Sequence, residues 1–392
     1  MKKIFRQENV YTLIWCLYYM QGTLYAEGSV ISQGLLAVFL LMSFYYFIKV
    51  FKYTYVPKPV VAFRYLAIMF GIYGLLRLGV STYGWKYVNE STTYFKEYEI
   101  SILPFFAFYY FSREHMINTK WFYKFSFIFF GTAIASYFYQ EAQALMQSFR
   151  DEVTNNSGYF VVSLMPLLVF LRKNPLLQYI ALFIVFILVL HGMKRGAILA
   201  VILGGAYFIW ASIKKTRGTK KVLFVILSIA AVVGAIVFLQ DLLANSDYMQ
   251  LRLEQTRNGD MSERENMYPA YYHYFFDNAG SIEYLFGYGA DGTLKNMGDF
   301  AHQDWLETMM NQGFLGLSLM LFFWVSMLMT LWRSSLRNCQ SITVIIALFV
   351  IIYLMKSMVS MSINGMTLFT ISSLAYAIVG LDDPIVRKEL TN

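Results

Sequence analysis

Long apolar runs separated by short polar segments make up most of this chain. A helix that crosses a membrane needs about 20 mostly apolar residues, and the pattern predicts about 12 such helices. Their predicted positions are 9–27, 30–51, 60–81, 98–113, 121–140, 157–172, 175–191, 196–213, 221–240, 312–332, 341–357 and 364–380. The pattern therefore predicts an all-α, polytopic integral membrane protein with a single transmembrane domain over residues 1–392.

One long polar segment, residues 241–311, is called here the large polar loop and is predicted to contain short helices. Residues 262–265 (Ser-Glu-Arg-Glu) have the spacing of a capping box, which predicts a helix start there. Pro269 is expected to kink or restart that helix. Asp299 is a candidate N-cap for a second helix that carries His302 near its first turn.

The composition excludes an ordinary soluble domain. Apolar residues account for 58% of the chain, charged residues for only 14%, and the mean hydropathy is +0.48. Most Lys and Arg residues lie in alternate loops, which are expected to be cytoplasmic. Both termini are then cytoplasmic and the large polar loop faces outward, so the net charge of +8 indicates orientation and not a nucleic-acid partner. Cys16 lies inside a predicted span and Cys339 in a predicted cytoplasmic loop, so no disulfide framework is predicted.

His302 is the leading candidate for a reacting group. The chain has only four histidines, and this one lies in the large polar loop together with several arginines. Close to a helix N-terminus, the pKa of the imidazole should be lowered, so that the ring is neutral near pH 7. A neutral imidazole can accept a proton from an attacking hydroxyl. A helix-capping or hydrogen-bonded structural histidine is the ordinary alternative.

Cations on the outward side run against the positive-inside pattern and are candidates for binding an anion. Lys194 and Arg195 occupy a very short outward turn between two spans, where the alternative is that they reach toward lipid headgroups. Arg264 lies at a predicted helix start, where a cation has a small electrostatic cost, and its planar guanidinium fits phosphate oxygens. Arg252 and Arg257 are further candidates in the same acidic loop.

Glycines and intramembrane charges add to these candidates. Gly287 and Gly289 allow a tight backbone beside a ligand, although most glycines of this kind only form a turn. Arg77 and Lys356 lie inside predicted spans toward the outer leaflet, and a charge inside a membrane is a functional hypothesis by default. The sequence has no pair of His or Cys residues at metal-ligand spacing, so neither a metal nor another cofactor is predicted.

The order of these elements resembles the superfamily of O-antigen polymerases and O-antigen ligases, which are bacterial envelope glycosyltransferases. The resemblance covers roughly residues 190–335. It is carried, in chain order, by residues 194–197 (Lys-Arg-Gly-Ala), Arg264, residues 287–289 (Gly-Tyr-Gly), residues 301–306 (Ala-His-Gln-Asp-Trp-Leu) and residues 313–317 (Gly-Phe-Leu-Gly-Leu). Each motif is short, so the specificity lies in their order and in the topology around them.

The resemblance implies a reaction and a location. Members of the superfamily transfer glycans from undecaprenyl diphosphate to an acceptor hydroxyl on the periplasmic side of the bacterial inner membrane, without a metal and with inversion. By this resemblance, Arg195 and Arg264 stabilise the charge of the diphosphate, and His302 orients or deprotonates the acceptor hydroxyl. The residues expected to contribute to substrate binding are Lys194, Arg252, Arg257, Gly287 and Gly289.

Within this superfamily, a repeat-unit polymerase of a surface polysaccharide is the leading interpretation. Its expected partners are the undecaprenyl-diphosphate-linked oligosaccharide, an acceptor glycan, the lipid bilayer and a chain-length regulator protein, with no nucleic acid. An O-antigen ligase, which moves finished polysaccharide to lipid A–core, and a protein O-glycosyltransferase stay open because they share the donor and the catalytic groups. A transporter would instead require ionisable residues deep in several spans and broken helices. A membrane scaffold would leave Arg195, Arg264 and His302 individually replaceable.

Overall fold

The computed structural model describes residues 6–79, 96–148, 154–215, 218–257 and 264–391, which are mostly helical and contain no strand. The helices, in chain order, are α1 (Gln7–Tyr19), α2 (Val30–Phe51), α3 (Lys58–Gly79), α4 (Pro104–Arg113), α5 (Thr119–Ser148), α6 (Gly158–Val162), α7 (Pro175–His191), α8 (Arg195–Lys215), α9 (Thr219–Asn245), α10 (Asp247–Arg257), α11 (Arg264–Asn278), α12 (Ser281–Phe286), α13 (Gly292–Met297), α14 (Asp304–Leu336), α15 (Gln340–Val359), α16 (Leu368–Asp382) and α17 (Pro384–Thr391). A further helical segment covers residues 96–102. The all-α prediction is confirmed for the described residues.

Five of the described helices are long and apolar enough to cross a membrane. They are Val30–Phe51, Arg195–Lys214, Phe224–Asn245, Asp304–Leu336 and Gln340–Val359. A sixth is reached if α16 and α17, which meet at an angle of 117°, form one broken span. Many apolar side chains of α2 and α9 are exposed on the outside of the bundle, as expected of residues that face lipid. The structure indicates a multi-pass membrane protein, and the larger number of spans predicted from the sequence is not confirmed.

The helices that position the site lie side by side. α15 packs against α8 and against α14, and α14 also packs against α3. Most of the apolar residues that these helices bury belong to one large core, whereas Met309 and Met310 near the start of α14 belong to a second, smaller one. Because α15 packs against both neighbours, the N-terminal ends of α8 and α14 lie close to its own C-terminal end.

The segment predicted as a continuous span at 157–172 is broken in the structure. After α6 the chain forms a 3-10 helix at Met165–Leu171, and Pro166 near its start cannot donate the hydrogen bond that an α-helix requires. The segment is buried, and distant side chains satisfy its polar groups; for example, the hydroxyl of Thr370 donates to the Ser163 carbonyl at 2.7 Å. Irregular backbone of this kind is tolerated at membrane depth only where protein surrounds it.

Two further predicted spans are shorter in the structure. The span predicted at 9–27 is helical only to Tyr19, because the chain then turns, with Gly22 at a φ of +85°. The span predicted at 98–113 is interrupted at Pro104, whose nitrogen cannot donate to the preceding helical turn. In both segments, the helix up to or after the interruption is shorter than the roughly 20 residues that a crossing of the bilayer requires.

The large polar loop contains short helices, as the sequence predicts. α10 to α13 follow one another there, and Tyr271 and Phe275 belong to a small apolar core of their own. The predicted capping box at 262–265 falls partly outside the described residues, which resume at Arg264, the first residue of α11. α11 then continues as one helix through Pro269, so the predicted restart does not occur.

The second helix predicted in this loop begins later than expected. α14 starts at Asp304 with Gln303 as its N-cap, so His302 precedes the helix and Asp299 does not cap it. Asp299 instead accepts the N–H of Phe300 at 2.7 Å. The backbone of His302 has a φ of +52°, which lies in the left-handed region and cannot be part of a right-handed α-helix.

Candidate functional site

Two buried carboxylates hold the backbone on either side of His302. Glu307 accepts the N–H of Ala301, the preceding residue, at 2.6 Å. Asp304 accepts the N–H of Ser362 at 2.9 Å and also accepts the hydroxyl of the same serine. His302 therefore lies at a left-handed backbone position between two anchored segments, which hold the backbone that carries its half-buried imidazole.

Glu307 also ties the start of α13 to α14. Its second carboxylate oxygen accepts the Thr293 hydroxyl at 2.6 Å and the side-chain amide of Asn311 at 3.2 Å. Asn311 in turn accepts the N–H of Thr293 at 3.2 Å. Asp304 and Glu307 were not predicted from the sequence, because acids are common in the first turn of any helix. Their burial depends on the fold and cannot be read from the sequence.

Gly287 and Gly313 allow two backbone segments to touch beside this network. Their φ values are +72° and +62°, and α14 changes direction at Gly313. A Cβ on Gly287 would lie 2.5 Å from the Asn311 carbonyl oxygen, and the N–H of Gly289 donates to that same oxygen at 3.0 Å. The structure thus gives Gly287 a packing role, while contact of Gly287 or Gly289 with a substrate stays a prediction.

Arg264 reaches the C-terminal end of α15. Its Nη1 donates to the carbonyl of Val359, the last residue of that helix, at 2.7 Å. Gln303, next to His302, approaches the neighbouring carbonyl of Met358, with 3.4 Å between Nε2 and the oxygen. The carbonyl end of a helix attracts cations, which explains the contact of Arg264 with the end of α15. The segment that carries His302 lies beside the same helix end.

Arg195 begins α8 beside the same end of α15. Gly196 makes this close approach possible, because a Cβ there would meet the Tyr159 hydroxyl and would lie 3.2 Å from Cγ2 of Val359. The three segments that carry the predicted catalytic residues therefore approach one another around Val359, although they are far apart in the sequence. Gly196 belongs to the motif at 194–197, but its contact with Tyr159 could not be predicted from the sequence because it depends on the fold.

The pKa of His302 is lowered from its ordinary value of 6.5, in the direction that the sequence predicts. Burial of the imidazole is the largest cause, and the positive charges of Arg264 and Lys194 act in the same direction. The negative charge of Asp299 opposes them. Burial, and not a helix N-terminus, is thus the main reason why the ring favours its neutral form, which is the form that can accept a proton.

The other two predicted substrate-binding arginines lie on α10. Arg257 is exposed at the end of that helix, and no hydrogen bond or ion pair joins it to another residue that the structure describes. The side chain of Arg252 lies outside the described part of the structure, as does that of Arg77 in α3. The structure does not bring Arg257 into the group around Val359, and a contribution of either α10 arginine to substrate binding stays a prediction.

The chain matches a known protein family over residues 180–321. That family is described as O-antigen ligase, and the matched region contains Lys194, Arg195, Arg264 and His302. The match confirms, for this part of the chain, the resemblance to the superfamily of O-antigen ligases and polymerases, and it indicates a glycosyltransferase-like enzyme of O-antigen assembly. No curated protein and no solved structure matches the chain at a significant level.

Proposed function

We propose that this protein is a polymerase that joins the repeat units of a surface polysaccharide of the O-antigen or capsule type. It transfers a glycan from undecaprenyl diphosphate to a sugar hydroxyl of an acceptor glycan on the periplasmic side of the membrane. The observation that supports an enzyme most directly is the approach of Arg195, Arg264 and the anchored His302 around the end of α15. The family match supports the general class of reaction.

The proposed reaction uses one proton acceptor and two cations. The acceptor hydroxyl attacks the anomeric carbon of the donor sugar from the face opposite the diphosphate, which inverts that carbon. His302 takes the hydroxyl proton while the bond from the anomeric carbon to the phosphate oxygen breaks, and undecaprenyl diphosphate leaves with the electron pair. Arg195 and Arg264 stabilise the negative charge that develops on the leaving group, so the reaction is proposed to need no metal.

The proposed topology places this chemistry outside the cytoplasm. About 12 helical segments cross the bacterial inner membrane, some of them interrupted, with both termini in the cytoplasm and residues 241–311 in the periplasm. A chain-length regulator protein is a candidate partner at the periplasmic face. The proposed substrate-binding residues are Lys194, Arg252, Arg257, Gly287 and Gly289.

Two alternative functions are an O-antigen ligase and a transporter. An O-antigen ligase would use the same donor, cations and proton acceptor, with lipid A–core as its acceptor. A transporter is favoured by the broken segment Gly158–Leu171 and by the buried Glu99, whose Oε1 has no hydrogen-bond partner among the described residues. A transporter does not require a neutral, firmly placed histidine. The lowered pKa of His302 and the two carboxylates that hold the backbone beside it therefore favour an enzyme.

Deletion of the gene followed by complementation tests the polymerase against its alternatives. In the deletion strain, a polymerase predicts that lipid A–core carries a single repeat unit and that the ladder of longer chains disappears from a polysaccharide gel. Wild-type protein should restore the ladder, and Arg264→Ala should not. Loss of every attached unit, with long chains accumulating on undecaprenyl diphosphate, would identify the ligase. An unchanged ladder would rule out both enzymes.

The lowered pKa of His302 predicts activity at pH values where an ordinary histidine is already half protonated. Protonation removes the proton acceptor, so kcat/KM should fall as the pH decreases through the pKa of His302 in the folded protein, which lies below 6.5. A pH profile of sugar transfer by the purified protein measures this. Donor binding should be followed over the same range, because the donor phosphates also titrate. An acidic limb of kcat/KM centred above pH 6.5 would contradict the prediction.

A further inference from the structure

We propose that Lys356 is a third cation of the site and contacts the diphosphate of the lipid-linked donor, an inference that rests on the proposed function. Lys356 lies in the last turn of α15, shortly before Val359, whose carbonyl accepts the hydrogen bond from Arg264. An ionisable side chain within an apolar span is rare and commonly functional. The surroundings of its ammonium group indicate what that function is.

The ammonium of Lys356 is held between an aromatic ring and a glycine. Its Nζ lies 5.0 Å from the centre of the Tyr159 ring, which is within the range of a cation–π contact. On another side, a Cβ added to Gly365 would lie only 2.5 Å from Nζ. Two separate segments of the chain therefore fix the position of the ammonium, which is not expected of a lysine that reaches freely for lipid headgroups.

Tyr159 connects this ammonium to the predicted anion-binding residues. Its hydroxyl occupies the space that a side chain at position 196 would fill, and Gly196 directly follows Arg195 in the chain. The positive charge of Arg264 also acts on the Tyr159 hydroxyl. The segments of α15, α8 and α11 that carry Lys356, Arg195 and Arg264 thus meet at one aromatic side chain. Several cations around a common point suit a ligand that carries several negative charges, as a diphosphate does.

Asp304, the nearby acid, does not pair closely with Lys356. Asp304 attracts Lys356 electrostatically, whereas Lys194 repels it. Asp304 already accepts hydrogen bonds from the N–H and the hydroxyl of Ser362, and no described carboxylate lies within 4.0 Å of the Lys356 Nζ. A cation in an apolar helix without a closely paired carboxylate is costly in free energy, and an anionic ligand reduces that cost.

In the proposed reaction Lys356 acts through its charge alone. As the bond from the anomeric carbon to the phosphate oxygen breaks, the diphosphate gains one negative charge, and the ammonium stays protonated and stabilises it. Undecaprenyl monophosphate has one phosphate group and fewer negative charges, so its binding should depend less on Lys356. Selectivity for the diphosphate over the monophosphate is therefore the property that Lys356 contributes.

Binding of the two lipids to the purified full-length protein in lipid nanodiscs tests this inference. Lys356→Met should weaken the binding of undecaprenyl diphosphate by about tenfold or more, the loss expected for one charge-assisted contact. Binding of undecaprenyl monophosphate should change much less. Gly365→Ala keeps the charge but displaces the ammonium, and it should produce the same selective loss. Lys388→Met removes a charge from the exposed side of α17 and should bind both lipids as the wild type does.

A double variant separates this role from simple pairing with Asp304. If Lys356 only balances the charge of Asp304, the double variant Asp304→Asn/Lys356→Met should regain wild-type binding, and that result would overturn the inference. Wild-type selectivity in both Lys356→Met and Gly365→Ala would overturn it as well. If Arg264→Ala abolishes diphosphate binding while Lys356→Met retains it, the proposed function stands without Lys356. If the wild-type protein does not bind undecaprenyl diphosphate, both proposals fail.

Discussion

Replacing His302 with alanine should abolish polymer formation while leaving the amount of protein in the membrane close to that of the wild type. The variant loses the imidazole that accepts the hydroxyl proton, and a general base contributes about 100-fold to 10,000-fold to a reaction rate. The local fold should persist, because Glu307 and Asp304 hold the neighbouring backbone and not the imidazole. Polysaccharide gels and immunoblots of membranes from complemented deletion cells measure the two quantities.

His273→Ala is the matched control for this variant. His273 lies on α11 in the same large polar loop, and its side chain is exposed. Its replacement should leave both the polysaccharide ladder and the membrane abundance unchanged. A normal ladder from His302→Ala would remove this residue from the proposed mechanism. Equal loss of product in the two variants would show that the assay reports the integrity of the loop and not a chemical role of His302.

Gly287→Ala should disrupt the contact between α12 and the bend in α14. An alanine at a φ of +72° carries backbone strain of about 1–3 kcal/mol. Its Cβ would also lie 2.5 Å from the Asn311 oxygen and the Gln312 nitrogen, and such overpacking costs about another 1–3 kcal/mol. These are backbone atoms, so they cannot move aside without breaking the hydrogen bond from Gly289. A lower unfolding temperature and faster proteolysis of the large polar loop are the expected results.

Gly28→Ala distinguishes the effect of a left-handed φ on stability from the effect of overpacking. Gly28 has a similar φ of +69°, but a Cβ there would meet nothing within 4 Å. This variant therefore places an alanine at a left-handed φ without the overpacking, and its unfolding temperature should fall less than that of Gly287→Ala. Proteolysis of the large polar loop should also remain as in the wild type. Equal decreases in both variants would refute a close contact between the turn at Gly287 and the bend at Gly313.

The positions of uninterrupted apolar helices could be predicted from the sequence. α2 and α7 begin and end at the predicted residues, and the side chains of Ser29 and Asn174 cap their first turns. The break at Met165–Leu171 could not be predicted in the same way, because its composition is as apolar as that of a span. Side chains that lie far away in the sequence satisfy its backbone, and hydropathy carries no information about them.

Some residues of the candidate site could likewise be predicted from the sequence, and others could not. The order of the motifs predicts Arg195, Arg264 and His302 as site residues, and the structure brings the segments that carry them together around Val359. Asp304 was not identified, because the role of an acid in a first helical turn depends on its partner. Asp304 and its partner Ser362 are 58 residues apart, and only the fold brings them together. The proposed reacting group could therefore be predicted from the sequence, whereas the buried acids that hold the backbone beside it could not.

The broken segment Gly158–Leu171 constrains the order in which the chain can be assembled during its synthesis. The hydroxyls of Thr367 and Thr370 donate to Ser163, yet they are synthesised more than 200 residues after it. Until they emerge from the ribosome, the hydroxyl and carbonyl of Ser163 lack these two partners, and hydrocarbon offers no replacement. We therefore expect Gly158–Leu171 to enter the membrane interior together with α16. A nascent chain that stops before α16 should leave this segment at the interface, even when every residue of the proposed chemistry has already been made.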